Sequence, residues 1–307
     1  MACIVPRTWH LAITLNPTYY VRGFHSSRTL FALNPVLRPT TNGSPSHEDA
    51  TVEDPMFGYC SQYSTPLPNK FVRLHESSKA NYPGGADKTV SALQGQLLQL
   101  LMRMTRPRRV LELGCFMGYS AMAMADGIPR GATLYTCEKD SKAARLAREL
   151  FTKEGYDCSS EQSIQKAVKI ELLEGDAMSS LELLAKKELQ FDAVFLDADK
   201  GNYINYFNFI LDNDMLAQHG YILADNVLFR GMVLQSHGDS FAPLSPPPSP
   251  QLSPKTKDAR LEERKTSHQK TACHMDKFNR HVRKDPRVTV AVLPVFDGLS
   301  VIMKNEN

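Results

Sequence analysis

From residue 108 onward, short apolar runs alternate with stretches whose apolar positions recur every three to four residues. The runs Arg108–Gly114, Ala132–Glu138, Val168–Glu174, Phe191–Asp197, Gly220–Asp225, Arg287–Val295 and Leu299–Lys304 read as strands. Helical periodicity fills Tyr119–Ile128, Ser141–Glu154, Met178–Leu189 and Tyr203–Met215. Repeated strand–helix units predict an α/β fold with a mostly parallel sheet covered by helices on both faces. The last two strands have no helix between them. They meet at Pro294-Val-Phe-Asp-Gly298, whose Asp-Gly pair signals an antiparallel hairpin.

Composition sets the outer limits. A chain of 307 residues with 42% hydrophobic residues can build one α/β domain with appendages. No apolar run approaches the roughly 18 residues of a membrane span. Cys3, Cys60, Cys115, Cys137, Cys158 and Cys273 form no C-x-x-C pair, which indicates neither a disulfide framework nor a zinc site and favours a reducing compartment. The formal charge of +3 belongs to the first 47 residues, where Arg7, Arg22, Arg28 and Arg38 stand without an acidic residue. The remaining body is near neutral, which argues against a nucleic-acid partner.

Two segments depart from this body. Residues 1–47 carry arginine, serine, threonine and aromatics with no acid before Glu48, the composition of a mitochondrial targeting leader, with a cytoplasmic protein as the alternative. Residues 48–87 follow as an N-terminal extension to a domain over 88–307. Within that domain, Pro243-Leu-Ser-Pro-Pro-Pro-Ser-Pro-Gln-Leu-Ser-Pro254 can form neither helix nor inner strand, and a charged run follows it. A disordered surface insert is expected over about 236–270.

The chemistry concentrates at the ends of the predicted strands. The first ends in Val110-Leu-Glu-Leu-Gly-Cys-Phe-Met-Gly-Tyr-Ser120, with Gly114 and Gly118 where backbone can approach a cofactor. Its E-x-G-x-x-x-G spacing differs from the G-x-G-x-x-G of dinucleotide sites, which disfavours a nicotinamide dehydrogenase. Glu138 closes the second strand, placed to accept hydrogen bonds from ribose hydroxyls. Glu112 offers a further carboxylate toward the same crevice, suited to the sulfonium and ammonium of S-adenosylmethionine. Asp176 and Ala177 follow the third strand, near the expected adenine edge. For Glu112 and Asp176 the plainer reading is a helix cap.

The fourth strand ends in Phe195-Leu-Asp-Ala-Asp-Lys200 and the fifth in Leu223-Ala-Asp-Asn226. Asp197, Asp225 and Asn226 would offer two carboxylates and an amide oxygen to one divalent cation, Mg²⁺ before Mn²⁺ or Ca²⁺. Asp197 and Lys200 are the expected catalytic residues, with Lys200 taking a phenolic proton provided its pKa is depressed. The plainer readings are a solvated lysine and an Asx turn.

These motifs resemble the metal-dependent class I O-methyltransferases of the caffeoyl-CoA O-methyltransferase type, and catechol O-methyltransferase more distantly. The resemblance covers roughly Lys88 to Lys304, interrupted by the Pro-rich insert. It implies a Rossmann-like class I methyltransferase fold, a seven-stranded mostly parallel sheet with a C-terminal antiparallel hairpin. It also implies cation ligation by Asp197, Asp225 and Asn226, cofactor contacts from Glu112, Gly114, Cys115, Ser120, Glu138, Ala177 and Asp199, and a homodimer. The implied reaction carries a methyl group from S-adenosylmethionine to a small acceptor with vicinal oxygens. Departures occur at Val90 and Gln94-Gly-Gln96, where the plant enzymes have a Thr several residues before Glu-Gly-Gln, and at Leu228-Phe-Arg-Gly231, where the family often has Leu-Trp-Asn-Gly. The second places Arg230 at an acceptor contact. Two other readings keep the cofactor: a nucleic-acid methyltransferase, and a non-catalytic assembly protein on the same fold.

Overall fold

The computed structural model describes residues 55–83, 88–156, 168–236 and 258–306. Residues 1–54, with the segment expected as a leader, and the Pro-rich segment lie outside the described residues. The described chain forms a seven-stranded sheet in the order β3-β2-β1-β4-β5-β7-β6. Its strands are β1 Arg109–Leu113, β2 Thr133–Glu138, β3 Lys169–Glu174, β4 Phe191–Leu196, β5 Leu216–Asp225, β6 Val288–Leu293 and β7 Leu299–Lys304. β3, β2, β1, β4 and β5 are parallel, whereas β7 runs antiparallel to both β5 and β6.

Side chains alternate across the sheet because successive strand residues face opposite ways. Val110, Ala193, Phe195 and Leu223 enter one core, and Leu111, Val194, Leu196 and Ile222 enter the other. The first core is covered by α2 Asn69–Asn81, α3 Ala92–Thr105, α4 Tyr119–Ala125 and α5 Ser141–Lys153, after the short α1 Pro55–Gln62. The second is covered by α6 Ala177–Lys186, α7 Tyr203–Asp212 and α9 Asp258–Lys284, with the one-turn α8 Val233–Ser236 between them in sequence. Two buried faces explain why the inner strands read as continuous apolar runs.

The helix starts follow local chemistry. Asp140 Oδ1 accepts from the amides of Lys142 and Ala143, Asp176 Oδ1 from those of Met178 and Ser179, and Ser91 Oγ from that of Gln94. Each side chain satisfies donors that the first helical turn leaves unpaired.

Two sequence boundaries change. α2 sends Phe71 and Leu74 into the first core, so the folded unit starts before Lys88. The charged run expected as loop up to residue 270 belongs to α9, which starts at Asp258. Pro254 is the last proline before it, and beyond that point nothing prevents helix. Ala272, Met275, Phe278 and Val282 then recur at three- and four-residue spacing and are buried against the second core.

Candidate active site

The strand order reverses between β1 and β4, and a crevice opens there beyond the carboxyl ends of the strands. It is a cleft of about 550 Å³, bounded also by the start of α3 and by the β6–β7 loop. Its size lies within the range of small-molecule sites.

One half gathers Gly114, Cys115, Ser120, Glu138, Asp176, Ala177 and Asp199. The Glu138 carboxylate is aimed by two backbone donors, Phe116 N to Oε2 at 2.7 Å and Asp140 N to Oε1 at 2.9 Å. Each oxygen keeps accepting capacity for a ligand hydroxyl. Asp176 caps α6, so its cap role and its place on the cleft wall coexist. Asp199 is exposed and ties down the 3₁₀ turn Lys200–Asn202 by accepting from Gly201 N and Asn202 Nδ2. Gly114 has a φ of 100°, and a side chain there would strike the Asp197 carbonyl. Burial pushes the Cys115 thiol up, so it packs as a small apolar group.

Two expected cofactor residues stand elsewhere. Glu112 lies beneath the cleft wall, fully buried, with Oε2 accepting from Thr136 Oγ1 at 2.5 Å and Oε1 without a partner. Burial, aided by the charges of Asp197 and Glu138, pushes its carboxyl up to about 8, so it is neutral at pH 7. Gly118 does not line the cleft either. It starts α4 at a φ of 87°, and an added Cβ would meet the Phe151 ring at 2.5 Å, so glycine serves helix packing there.

The other half brings together Asp197, Lys200, Asp225, Asn226 and Arg230. Lys200 Nζ lies 2.5 Å from Asp197 Oδ1. Asp225 is 2% exposed, and burial together with the charge of Asp197 raises its pKa against the opposing pull of Lys200. Asn226 adopts a φ of 58°, which asparagine tolerates, and its amide donates to Asp225 Oδ1 at 2.8 Å. Tyr203 OH donates to Leu196 O at 2.8 Å, anchoring α7 beneath the turn after β4. Among the described residues no three His, Cys, Asp or Glu side chains cluster as a metal group, and the oxygen donors here are two aspartates and an amide.

Lys200 differs from its expected state. Burial by itself would lower its pKa, but Asp197, Tyr203 and Asp225 outweigh that and raise it. In this arrangement Lys200 is an ammonium paired with Asp197.

Other residues were invisible to sequence reasoning. Asp297, read only as a turn residue, is buried, with its carboxyl pushed up to about 6 by desolvation. It accepts from the Arg230 amide and from Asn226 Nδ2, so it joins the β6–β7 loop to the turn after β5. Phe116, Phe229 and Phe296 line the cleft at φ of 47°, 39° and 54°. Aromatic residues rarely adopt that region, and no sequence signal announces it.

A Rossmann-like sheet ending in an antiparallel pair, with a carboxylate at the end of β2 and an acidic turn after β4, is the arrangement of the class I S-adenosylmethionine-dependent methyltransferases. The model of the O-methyltransferase family matches residues 61–244, and this chain belongs to that family. It is 33% identical over 246 residues to the O-methyltransferase ankF of Aspergillus thermomutatus, covering 80% of this chain and 90% of that one. It is 27% identical to a caffeoyl-CoA O-methyltransferase of Medicago sativa, covering 83% and 90%. With the catechol O-methyltransferase domain-containing protein 1 of Mus musculus it shares 31% over 71% of this chain and 68% of the relative. The structure of the Podospora anserina methyltransferase PaMTH1, bound to S-adenosylhomocysteine, superposes with a TM-score of 0.68 at 30% identity, covering 86% of this chain and all of the other.

Proposed function

We propose that this chain is a divalent-cation-dependent O-methyltransferase that methylates a hydroxyl of a small acceptor with vicinal oxygens, a catechol being the type. The observation that carries this reading is the meeting of Asp197, Asp225 and Asn226 at adjacent strand ends, in the same cleft as Glu138 and Gly114. Asp225 is buried, its proton affinity raised by desolvation and by the charge of Asp197, and a cation between the two would relieve that charge. Their oxygen donors suit Mg²⁺. When bound there, the cation would supply Lewis-acid stabilisation of an acceptor oxyanion. Asp197, Asp225 and Asn226 would hold it. Lys200 would stand beside the same oxygen, and the cleft would align acceptor oxygen with the cofactor's methyl group, from which much of the rate derives. The names of the relatives, caffeoyl-CoA O-methyltransferase and catechol O-methyltransferase domain-containing protein 1, support the acceptor class. Mitochondrial import belongs to the same reading and rests on the acid-free composition of residues 1–47.

The test is methyl transfer from labelled S-adenosylmethionine to a panel of catechols and catechol-bearing thioesters, with Mg²⁺ or EDTA. Transfer removed by EDTA and restored by Mg²⁺ is expected. Transfer that EDTA leaves unchanged overturns cation dependence, and methylation of acceptors with a single isolated hydroxyl at equal rates overturns the vicinal-oxygen class.

A further inference from the structure

α9 touches both turns of the site. Its buried half grips α7, with the Phe278 ring against Tyr203 at 5.3 Å and Phe207 at 6.3 Å, and Asn279 Nδ2 donates to Val227 O at 2.8 Å just past Asn226. His274 lies flush on Gly201, where an added Cβ would stand 3.0 Å from its Nδ1. The stretch nearer its start is different. Over residues 266–270 every side chain is exposed except His268, which is half-buried. His268 sets its ring edge-on to Phe229, with centroids 5.8 Å apart and planes at 74°.

Phe229 is itself a wall of the cleft. Its backbone is held on both sides. Its amide donates to Asn226 O at 3.1 Å and Asp297 O at 3.2 Å, and its carbonyl accepts from Met232 N at 2.9 Å. With φ of 39° at Phe229 and 56° at Arg230, this turn sits in a left-handed conformation that bulky residues adopt only when their surroundings impose it. The backbone is thus fixed, and the ring packs against the second core while meeting α9 at its edge. The aromatic ring packed on it from α9 is that of His268.

From this geometry we propose that His268 is a positioning residue that acts through Phe229 to shape the acceptor end of the cleft, and so contributes to which acceptors fit. The inference rests on the O-methylation reading above. A solvated helical stretch that turns one aromatic side chain inward, onto a cleft wall, has its contact where acceptor shape is sensed. Edge-on aromatic packing is directional, so removing one ring takes away a contact that fixes the orientation of the other.

The experiment uses the full chain and three forms: wild type, His268→Ala and His268→Phe. Steady-state kinetics are measured on catechols of increasing size, together with S-adenosylhomocysteine affinity by calorimetry. In the alanine variant KM for the larger catechols is expected to change about three- to tenfold, the scale of one aromatic contact. The smallest catechol, the cofactor affinity and kcat should change less than about twofold, and the phenylalanine variant should restore the wild-type ranking. A parallel readout needs no turnover: the ¹⁹F spectrum of protein carrying Phe229→4-fluoro-Phe should broaden or split with His268→Ala and return to a single line with His268→Phe. An unchanged ¹⁹F line in the alanine variant overturns the proposal whatever the kinetics show. Equal KM shifts for all acceptors, loss of cofactor affinity, or failure of phenylalanine to rescue also overturn it, because they indicate a merely structural helix. If no catechol is methylated by wild type while the ¹⁹F response occurs, the O-methylation reading fails and the control of Phe229 by His268 stands.

Discussion

Glu112 is where residue-level physics departs most from expectation. It has the residue type and position of a cofactor carboxylate, yet it is fully buried with its proton retained near pH 7. Its folded pKa of about 8 lies above its ordinary 4.5, so the neutral form favours folding at low pH. That contribution is complete below the unfolded value and fades as pH rises from 4.5 toward 8. In cofactor-free protein, the stability of wild type relative to Glu112→Gln should therefore fall across this window, by on the order of 4 kcal/mol at about 1.4 kcal/mol per unit. Denaturant titrations at several pH values test it, and parallel curves for the two proteins would show that Glu112 ionises normally. At Asp225 the prediction concerns function. Asp225→Asn should lower transfer by more than about a hundredfold, beyond the effect of a residue one layer outside a metal site. Affinity for S-adenosylhomocysteine should stay within about twofold, since Asp225 belongs to the proposed cation set and not to the residues expected to hold the cofactor. Joint loss of cofactor affinity and fold would instead make it a structural residue.

At the scale of elements, strands and helices were legible to different degrees. All seven strand runs contain their observed strands apart from β5, which begins at Leu216, four residues before the expected Gly220. Strands buried on both faces write themselves as apolar runs, so this success has a physical cause. α1, α2, α3 and α9 were not read from the sequence, and for α2 and α9 the cause is shared. Each is strongly polar over much of its length, and its place is set by a few side chains, Phe71 and Leu74 in one and Ala272, Met275, Phe278 and Val282 in the other. Such helices owe their stability to packing more than to propensity. Phe278→Ala should cost about 3–5 kcal/mol by opening a cavity between α9 and α7. Loss of that contact should also weaken methyl transfer, because Tyr203 supports the turn that carries Asp197 and Lys200. Urea unfolding and initial rates on the same variant check both, and a stability loss with unaltered rates would show that α9 does not support the turn.

For the whole molecule, two acidic turns facing each other create a local concentration of negative charge, relieved in part by Lys200 and by the Asn226 amide. A ligand that binds the folded state alone raises its stability, by about 2.7 kcal/mol at a hundred times its dissociation constant. Mg²⁺ should therefore raise the melting temperature of wild type, and Asp225→Asn should abolish most of that rise. Equal shifts in both proteins would place the cation elsewhere.

By itself the sequence determined the parallel sheet, the closing hairpin and the residues at each strand end, including Gly114, Glu138, Asp197, Asp225 and Asn226. Strand periodicity and glycine or carboxylate positions are local properties, and the topology of repeated βα units carries consecutive strand ends to one crevice. Tertiary structure alone decided the rest. It retained the proton on Glu112, charged Lys200, turned Gly118 toward Phe151, and brought Asp297 and α9 against the turn after β5. Desolvation, charge–charge coupling and left-handed backbone depend on neighbours distant in the chain, and no local pattern encodes which neighbours those are.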